Sequence, residues 1–226
     1  MMAASLTGMT VPSWASHLEQ KLAPPPLLLV QAFVDTLDLD LGTDVLAHAD
    51  EGPAWLAEAG LRAPEEPDAA ADLQLARDVR ESLRAMIARS ADGTPLTAAE
   101  LRPLEQVTRA ARPRLEVTAD GQVGLRTGPV AQRLADGLAG LLLIIRDAQA
   151  DGSWDRLKLC GNPDCRWAFY DRSHSRRGAW CEMTSCGNRL KNRSLRARRA
   201  QSAEAAGAEA AGAGAAGAEA AGAEAG

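Results

Sequence analysis

Cys160-Gly-Asn-Pro-Asp-Cys165 and Cys181-Glu-Met-Thr-Ser-Cys186 hold all four cysteines of this chain, and their reading decides the rest. Each pair encloses four residues, and fifteen residues separate the pairs. In a reducing cytosol, paired cysteines favour a metal over a disulfide. A structural Zn²⁺ takes four tetrahedral ligands, and these spacers lie within the usual range for a thiolate site. The expectation is one structural Zn²⁺ on Cys160, Cys165, Cys181 and Cys186. Gly161 and Gly187 each follow a cysteine, where a permissive backbone is expected to turn amide N–H groups toward sulfur. Asn162-Pro163 and Asn188 read as turn and cap residues. Arg172, Arg189 and Lys191 lie close enough in sequence to offset the excess charge of four thiolates. His174, in the connector, is an alternative ligand, but four sulfurs already close the shell. A closed shell also disfavours hydrolytic chemistry, which needs an open position.

The charge of the chain is divided. Residues 156–201 carry twelve Lys and Arg against three acids, a net +9. The remaining residues carry thirteen basic against twenty-seven acidic side chains, a net −14. Such opposed parts point the basic piece at a polyanion. The competing reading is that the two parts attract each other within the molecule.

Outward from the cysteines, helical patterns dominate. Pro24-Pro25-Pro26 opens an apolar stretch, Leu27 to Leu39, with Leu29, Phe33, Thr36 and Leu37 at helical spacing and Gly42 as its stop. Thr43 or Asp44 is placed to cap a short second helix. Residues 54–59 read as another short helix ended by Gly60, with Trp55 in the core. A long helix is expected from Asp68 to about Arg89, with Leu73, Ala76, Val79, Leu83, Met86 and Ile87 as its buried stripe. Arg77, Arg80, Arg84 and Arg89 beside Asp72, Asp78 and Glu81 read as its solvated face. Thr97-Ala-Ala-Glu100 is a capping box for a helix ending near Ala111, with Pro103 tolerated in its first turns. Leu115 to Leu125 alternates around Asp120-Gly121, a β-hairpin signal. Residues 129–150 form the last large, buried helix. The histidines outside the basic segment are His17 and His48. No catalytic constellation is legible there, and no enzyme is expected.

The predicted class is α+β: a mainly helical N-terminal domain with one β-hairpin, plus a small C-terminal zinc ribbon-like module. The boundaries are 1–21 for a flexible N-terminus, 22–155 for the helical domain, 156–200 for the zinc module and 201–226 for a disordered Ala/Gly/Glu tail. The first twenty residues lack a basic and apolar leader pattern, and no run is long enough to span a bilayer. A cytoplasmic chain without a membrane partner is expected.

Arg166-Trp-Ala-Phe169-Tyr170-Asp171-Arg-Ser173, Arg176-Arg177, Trp180-Cys181-Glu-Met183 and Cys186-Gly187-Asn188-Arg189-Leu-Lys191 closely resemble the CGNR-type zinc finger. Gly178-Ala179 depart from that family's usual connector. Upstream, Ala32-Phe33-Val34-Asp35-Thr36-Leu37, Asp44-Val-Leu46 and Trp55-Leu56-Ala-Glu-Ala-Gly60-Leu61 resemble the ABATE domain of stress-induced transcription regulators. That family more often has Asn where this chain has Asp35. The resemblance implies a stress-response, DNA-binding transcription regulator.

A helix over 188–200, capped by Asn188, would put Arg189, Arg193 and Arg196 on one face, flanked by Lys191, Arg198 and Arg199. Arg172, Arg176 and Arg177 of the connector would clamp the nucleic-acid backbone. Trp167, Phe169, Tyr170 and Trp180 are expected to form the module's own small core. The alternatives are RNA binding or a protein-contact adaptor built on a structural zinc. The helical domain is expected to bind a small-molecule effector or to form a homodimer.

Overall fold

Three prolines remove backbone donors ahead of Leu27, and the first helix begins there as α1 (Leu27–Val34). The computed structural model describes residues 11–18, 21–63, 69–90, 93–126, 133–189 and 196. The expected helix to Leu39 stops early because Asp35 and Thr36, both buried, are drawn to tertiary partners. The chain then makes a minimal hairpin that the sequence reading missed, β1 (Leu37–Asp38) against β2 (Thr43–Asp44). Its turn is held by Asp38 Oδ1, which accepts from the amides of Asp40 and Leu41 at 2.8 and 3.0 Å. Gly42, at φ +69°, serves that turn and is not a helix stop. Asp44 caps a short 3₁₀ turn, Val45–Ala47, by accepting from Leu46 N at 3.0 Å. α2 (Glu51–Glu58) follows and ends before Gly60, at φ +71°. Trp55 is in the core as expected, with its indole N–H on the Trp14 carbonyl.

α3 (Ala69–Ser90) buries Leu73, Ala76, Val79, Leu83 and Ile87 of the expected stripe, with Met86 half-buried against the core. Its arginines correct the reading of a solvated face. Arg80 and Arg84 keep only 3% and 4% exposure. Arg80 grips both oxygens of Asp44, at 2.6 and 2.9 Å, and reaches Thr36 Oγ1 at 3.2 Å. Burial opposes ionisation of Asp44, but this fork more than offsets it and holds the carboxyl below its ordinary pKa. Burial of a guanidinium is offset where its N–H groups find acceptors, and for Arg80 and Arg84 the backbone and acids of neighbouring segments supply them.

α4 (Ala98–Ala110) starts at the expected capping box, complete in both directions, with Pro103 inside the helix. β3 (Arg114–Val117) and β4 (Val123–Arg126) form the expected hairpin. Leu115, Val117 and Val123 on it are strongly exposed. α5 (Leu134–Ala150) buries Leu134, Leu138, Leu141 and Ile145 against α1, α3 and α4. The earlier part of that expected helix lies largely outside the described residues.

Residues 11–18 fall within the segment expected to be loose, and they are packed. Ala15 and Leu18 are buried, and His17 contacts the Ala32 carbonyl at 3.3 Å. A last hairpin pairs β5 (Leu157–Leu159) with β6 (Ala168–Tyr170), in register Leu157 to Tyr170 and Leu159 to Ala168. Leu157, Ala168 and Tyr170 join the same hydrophobic core as Phe33, Leu83 and Leu138. Of the four aromatics expected in the module's own core, Tyr170 and Trp167 pack instead on the helical one, whereas Phe169 is buried outside that cluster. The chain divides into two compact units, Met1–Cys181 and Glu182–Gly226, so this hairpin belongs with the helices. The expected Ala/Gly/Glu tail lies outside the described residues.

Gly137 in α5 sets how closely that helix approaches its neighbour. A Cβ there would lie 2.0 Å from the Leu61 carbonyl oxygen and 2.6 Å from its Cα. Gly137→Ala gains about 1 kcal/mol of helix propensity. It loses about 3 kcal/mol because backbone must move to make room. The expected net is a loss of about 2 kcal/mol, read from the urea midpoint at unchanged slope.

Candidate metal centre and nucleic-acid interface

The first two cysteines sit at the tip of the β5–β6 hairpin. β5 leads directly into Cys160, whose N–H returns to the Trp167 carbonyl at 2.8 Å. The intervening turn is closed by the Asn162 carbonyl, which accepts from Cys165 N and Arg166 N, each at 3.0 Å. Arg166 takes the left-handed conformation, φ +49°, to redirect the chain into β6. Gly161 acts differently from the expectation. Its N–H points to the Ala179 carbonyl at 2.8 Å, and a Cβ would press on the Trp180 ring at 3.0 Å. Glycine is needed there so that residues 179–180 can lie against the first cysteine turn and deliver Cys181.

Asp171 folds the connector between the two cysteine pairs. Its Oδ1 accepts from Ser173 N at 3.0 Å, and its Oδ2 accepts from Gly178 N at 2.7 Å and Lys158 Nζ at 2.9 Å. Burial pushes this carboxyl toward the neutral form, but the Ser173 and Lys158 contacts more than offset it, and its pKa is held low. A Cβ at residue 178 would meet the Asp171 carboxylate at 2.9 Å. Gly178, the departure from the family connector, is thus what admits the carboxylate to its own amide.

From Glu182 onward, the chain makes a wide turn, Met183–Gly187, with Gly187 N bonded to the Glu182 carbonyl at 3.2 Å. Asn188 does not act as the expected N-cap. Its backbone is right-handed helical, and its Nδ2 donates backward to the Thr184 carbonyl at 3.0 Å.

The Sγ atoms of Cys160, Cys165, Cys181 and Cys186 all lie within 4.8 Å of one another, with three of the residues buried. Cys165 and Cys181 sulfurs are 3.7 Å apart. Tetrahedral ligands at about 2.3 Å from zinc would sit about 3.8 Å apart. The donor set, its spacing and its burial fit one structural zinc. The sulfurs also couple electrostatically. Hydrogen bonds from the Cys165 and Cys181 thiols, then the amides of Cys181 and Asn162, favour ionisation of Cys160. Cys160 and Cys181 in turn disfavour ionisation of Cys165. Ionising all four sulfurs at this separation would call for a cation among them, which a zinc ion supplies. His174 is exposed in the connector and is outside this group.

The hairpin is bound to the helices by polar contacts that the sequence reading did not assign. Ala168 N donates to Asp35 Oδ1 at 2.8 Å, and Gln31 Nε2 donates to the Ala168 carbonyl at 3.1 Å. Arg84 bridges the Arg166 and Val34 carbonyls at 3.0 and 2.7 Å. Tyr170 N donates to the Lys21 carbonyl at 2.8 Å. A usable signal was present: Arg80 and Arg84 each follow a buried position of α3, at the border of its stripe.

Of the residues expected to contact nucleic acid, Arg172, Arg176, Arg177, Arg189 and Arg196 are exposed. Arg172 also donates to the Leu22 carbonyl at 2.8 Å and covers the Tyr170 ring. Lys191, Arg193, Arg198 and Arg199 lie outside the described residues, as does most of the expected 188–200 helix.

The model of ABATE, described as "Putative stress-induced transcription regulator", matches residues 26–149. That match spans more than half of the sequence. The chain belongs to the ABATE family. The CGNR zinc finger model matches residues 156–199, which include all four cysteines. Among curated proteins, none matches the chain. This ABATE protein therefore combines a domain of a regulator family with a zinc finger. No helix among its described residues is long and apolar enough to cross a membrane.

Removing the metal is expected to release the connector and the second cysteine pair before the hairpin. Under chelation, amide exchange should rise across 171–189 while Lys158, Ala168 and Tyr170 stay protected by their ladder and by the helices. Equal deprotection of β5 and β6 would show that zinc, not the helical core, holds them.

Asp35 gives this ABATE domain a pH dependence. Its carboxyl is fully buried, and its second oxygen has no hydrogen-bond partner among the described residues. Burial raises its pKa well above the ordinary value, against the Ala168 amide and Arg84. The folded state therefore holds a proton that the unfolded chain releases, and stability falls as pH rises from the ordinary carboxylate range toward the folded pKa. Asp35→Asn removes that slope. The stability difference between variant and wild type should grow with pH, measured by urea unfolding across acidic to neutral buffers.

Proposed function

We propose that this ABATE protein is a DNA-binding transcription regulator. The zinc-ordered basic segment 156–200 meets the phosphate backbone, and the helical part, 22–155, controls it by binding an effector or by self-association. The observation that carries this reading is the charge division, +9 in residues 156–201 against −14 elsewhere. A polyanion is repelled by the acidic part and attracted to the basic one, which restricts its approach before any base is read. Exposed Arg176 and Arg177 lie on the loop that Asp171 and Lys158 hold in shape, so their positions are set in advance. Arg172 is partly committed to Leu22 and Tyr170 and contributes less. Lys191, Arg193, Arg198 and Arg199 enter the reading on charge and sequence position.

Phosphate contacts release condensed counterions, so affinity should fall steeply with salt. Titration of a mixed-sequence duplex at several salt concentrations measures the slope. Arg176→Ala with Arg177→Ala, and separately Arg193→Ala with Arg196→Ala, should each flatten it by about one unit per lost phosphate contact. A residue that reads a base should instead cost about 1–3 kcal/mol at one position and relax sequence preference. Unchanged affinity and slope in both double variants would remove this segment as the DNA surface. Tighter binding to single-stranded RNA than to duplex DNA would favour the RNA reading.

A further inference from the structure

A groove of about 750 Å³ opens between α3 and α4, away from the α1–α5 contact. Its floor is made of small residues: Ala85 and Ala88, one turn apart on α3, face Ala99 and Pro103 on α4. These side chains are too short to fill the space between the helices. The walls are charged, and the hydrogen bonds there are unevenly committed. Glu81 is taken on both oxygens, by Arg80 at 2.9 Å and Arg84 at 3.2 Å. Glu100 closes the capping box and accepts Arg89 Nη2 at 3.0 and 3.1 Å. Its pKa is lowered to about 2, first by the Thr97 amide and then by Arg89, so it is ionised and occupied. Asp78 accepts from Gln74 and is exposed at the mouth.

The cations are less committed. No hydrogen bond or ion pair among the described residues engages the guanidinium of Arg102 or of Arg166, and both line the groove. Arg89 Nε is buried without a hydrogen-bond partner among those residues. The carboxylates of Glu81 and Glu100 are satisfied by the protein, and Arg84 is spent on Glu81 and on backbone carbonyls, while Arg102 and Arg166 keep donors to spare. Such a site favours a ligand that brings acceptors, and a guanidinium fork matches a carboxylate. The volume lies in the range of small-molecule sites.

We propose that this groove binds a small carboxylate with an apolar body, its head toward Arg102 and Arg166 and its body over the alanine floor. This deepens the effector-binding half of the proposed function and rests on that reading for its regulatory meaning. The connection to the metal centre is short. Arg166 directly follows Cys165, and its carbonyl is held by Arg84 from the groove wall. A ligand drawn to the Arg166 guanidinium acts on the turn that carries the first two cysteines.

The test uses the full-length, zinc-loaded chain without nucleic acid, so its outcome is independent of DNA binding. The probe is 2-naphthoate, titrated by calorimetry, with 2-naphthamide as its uncharged counterpart. Saturable binding of the carboxylate, about tenfold tighter than the amide, is expected for one charge-assisted contact. Arg102→Ala should weaken it about tenfold, and Ala88→Leu, which fills the floor, should abolish it while circular dichroism and zinc content stay unchanged. A loss in either variant supports the site. No saturable binding, equal affinity for the amide, or wild-type affinity in both variants overturns it.

Discussion

The peptide of Ala168 is the joint on which this molecule depends. Its N–H is taken by Asp35 and its carbonyl by Gln31, both side chains of the first helical segment. A strand of three residues paired with another of three is marginal by itself. Here the outer edge of β6 is satisfied by buried side chains and by the Lys21 carbonyl, and its apolar face completes the helical core. The hairpin that carries Cys160 and Cys165 is therefore part of the ABATE domain's packing, although in sequence it belongs to the finger.

Burial of polar groups sets the character of this joint. Arg84 is nearly inaccessible, and its three nitrogens are all engaged, by Glu81 and by the carbonyls of Val34 and Arg166. Removing any partner leaves a buried donor unsatisfied, which costs more than the bond itself contributes. Such contacts specify one arrangement of hairpin on helices. Through them Arg84, on α3, holds the carbonyl of the residue beside Cys165. The position of Asp35 adds a charge-dependent element, because its second oxygen is buried without a partner among the described residues.

The connector shows the same logic on a smaller scale. One carboxylate, Asp171, gathers Ser173, Gly178 and Lys158, and so fixes the exposed loop that presents Arg176 and Arg177. Gly178 is required by close approach, since a Cβ there would collide with that carboxylate. The cysteines alone would leave a fifteen-residue loop undetermined. Its shape comes from an acid that a reading focused on ligands passes over.

Local signals in the sequence determined the metal ligands, the capping box at Thr97 and Glu100, the stop at Gly60, and the hairpin around Gly121. Each depends on a few neighbouring residues, so spacing and residue type suffice to find it. The stripe of α3 was legible for the same reason. The tertiary structure alone decided that α1 ends at Val34, that Arg80 and Arg84 are buried, and that the first cysteine turn is joined to the helices. In each case a polar side chain meets an acceptor or donor 36 to 133 residues away. Periodicity measures only the hydrophobic face of a segment and carries no information about such distant partners. An arginine at the border of a buried stripe reads as solvated until the carbonyl that receives it is in place.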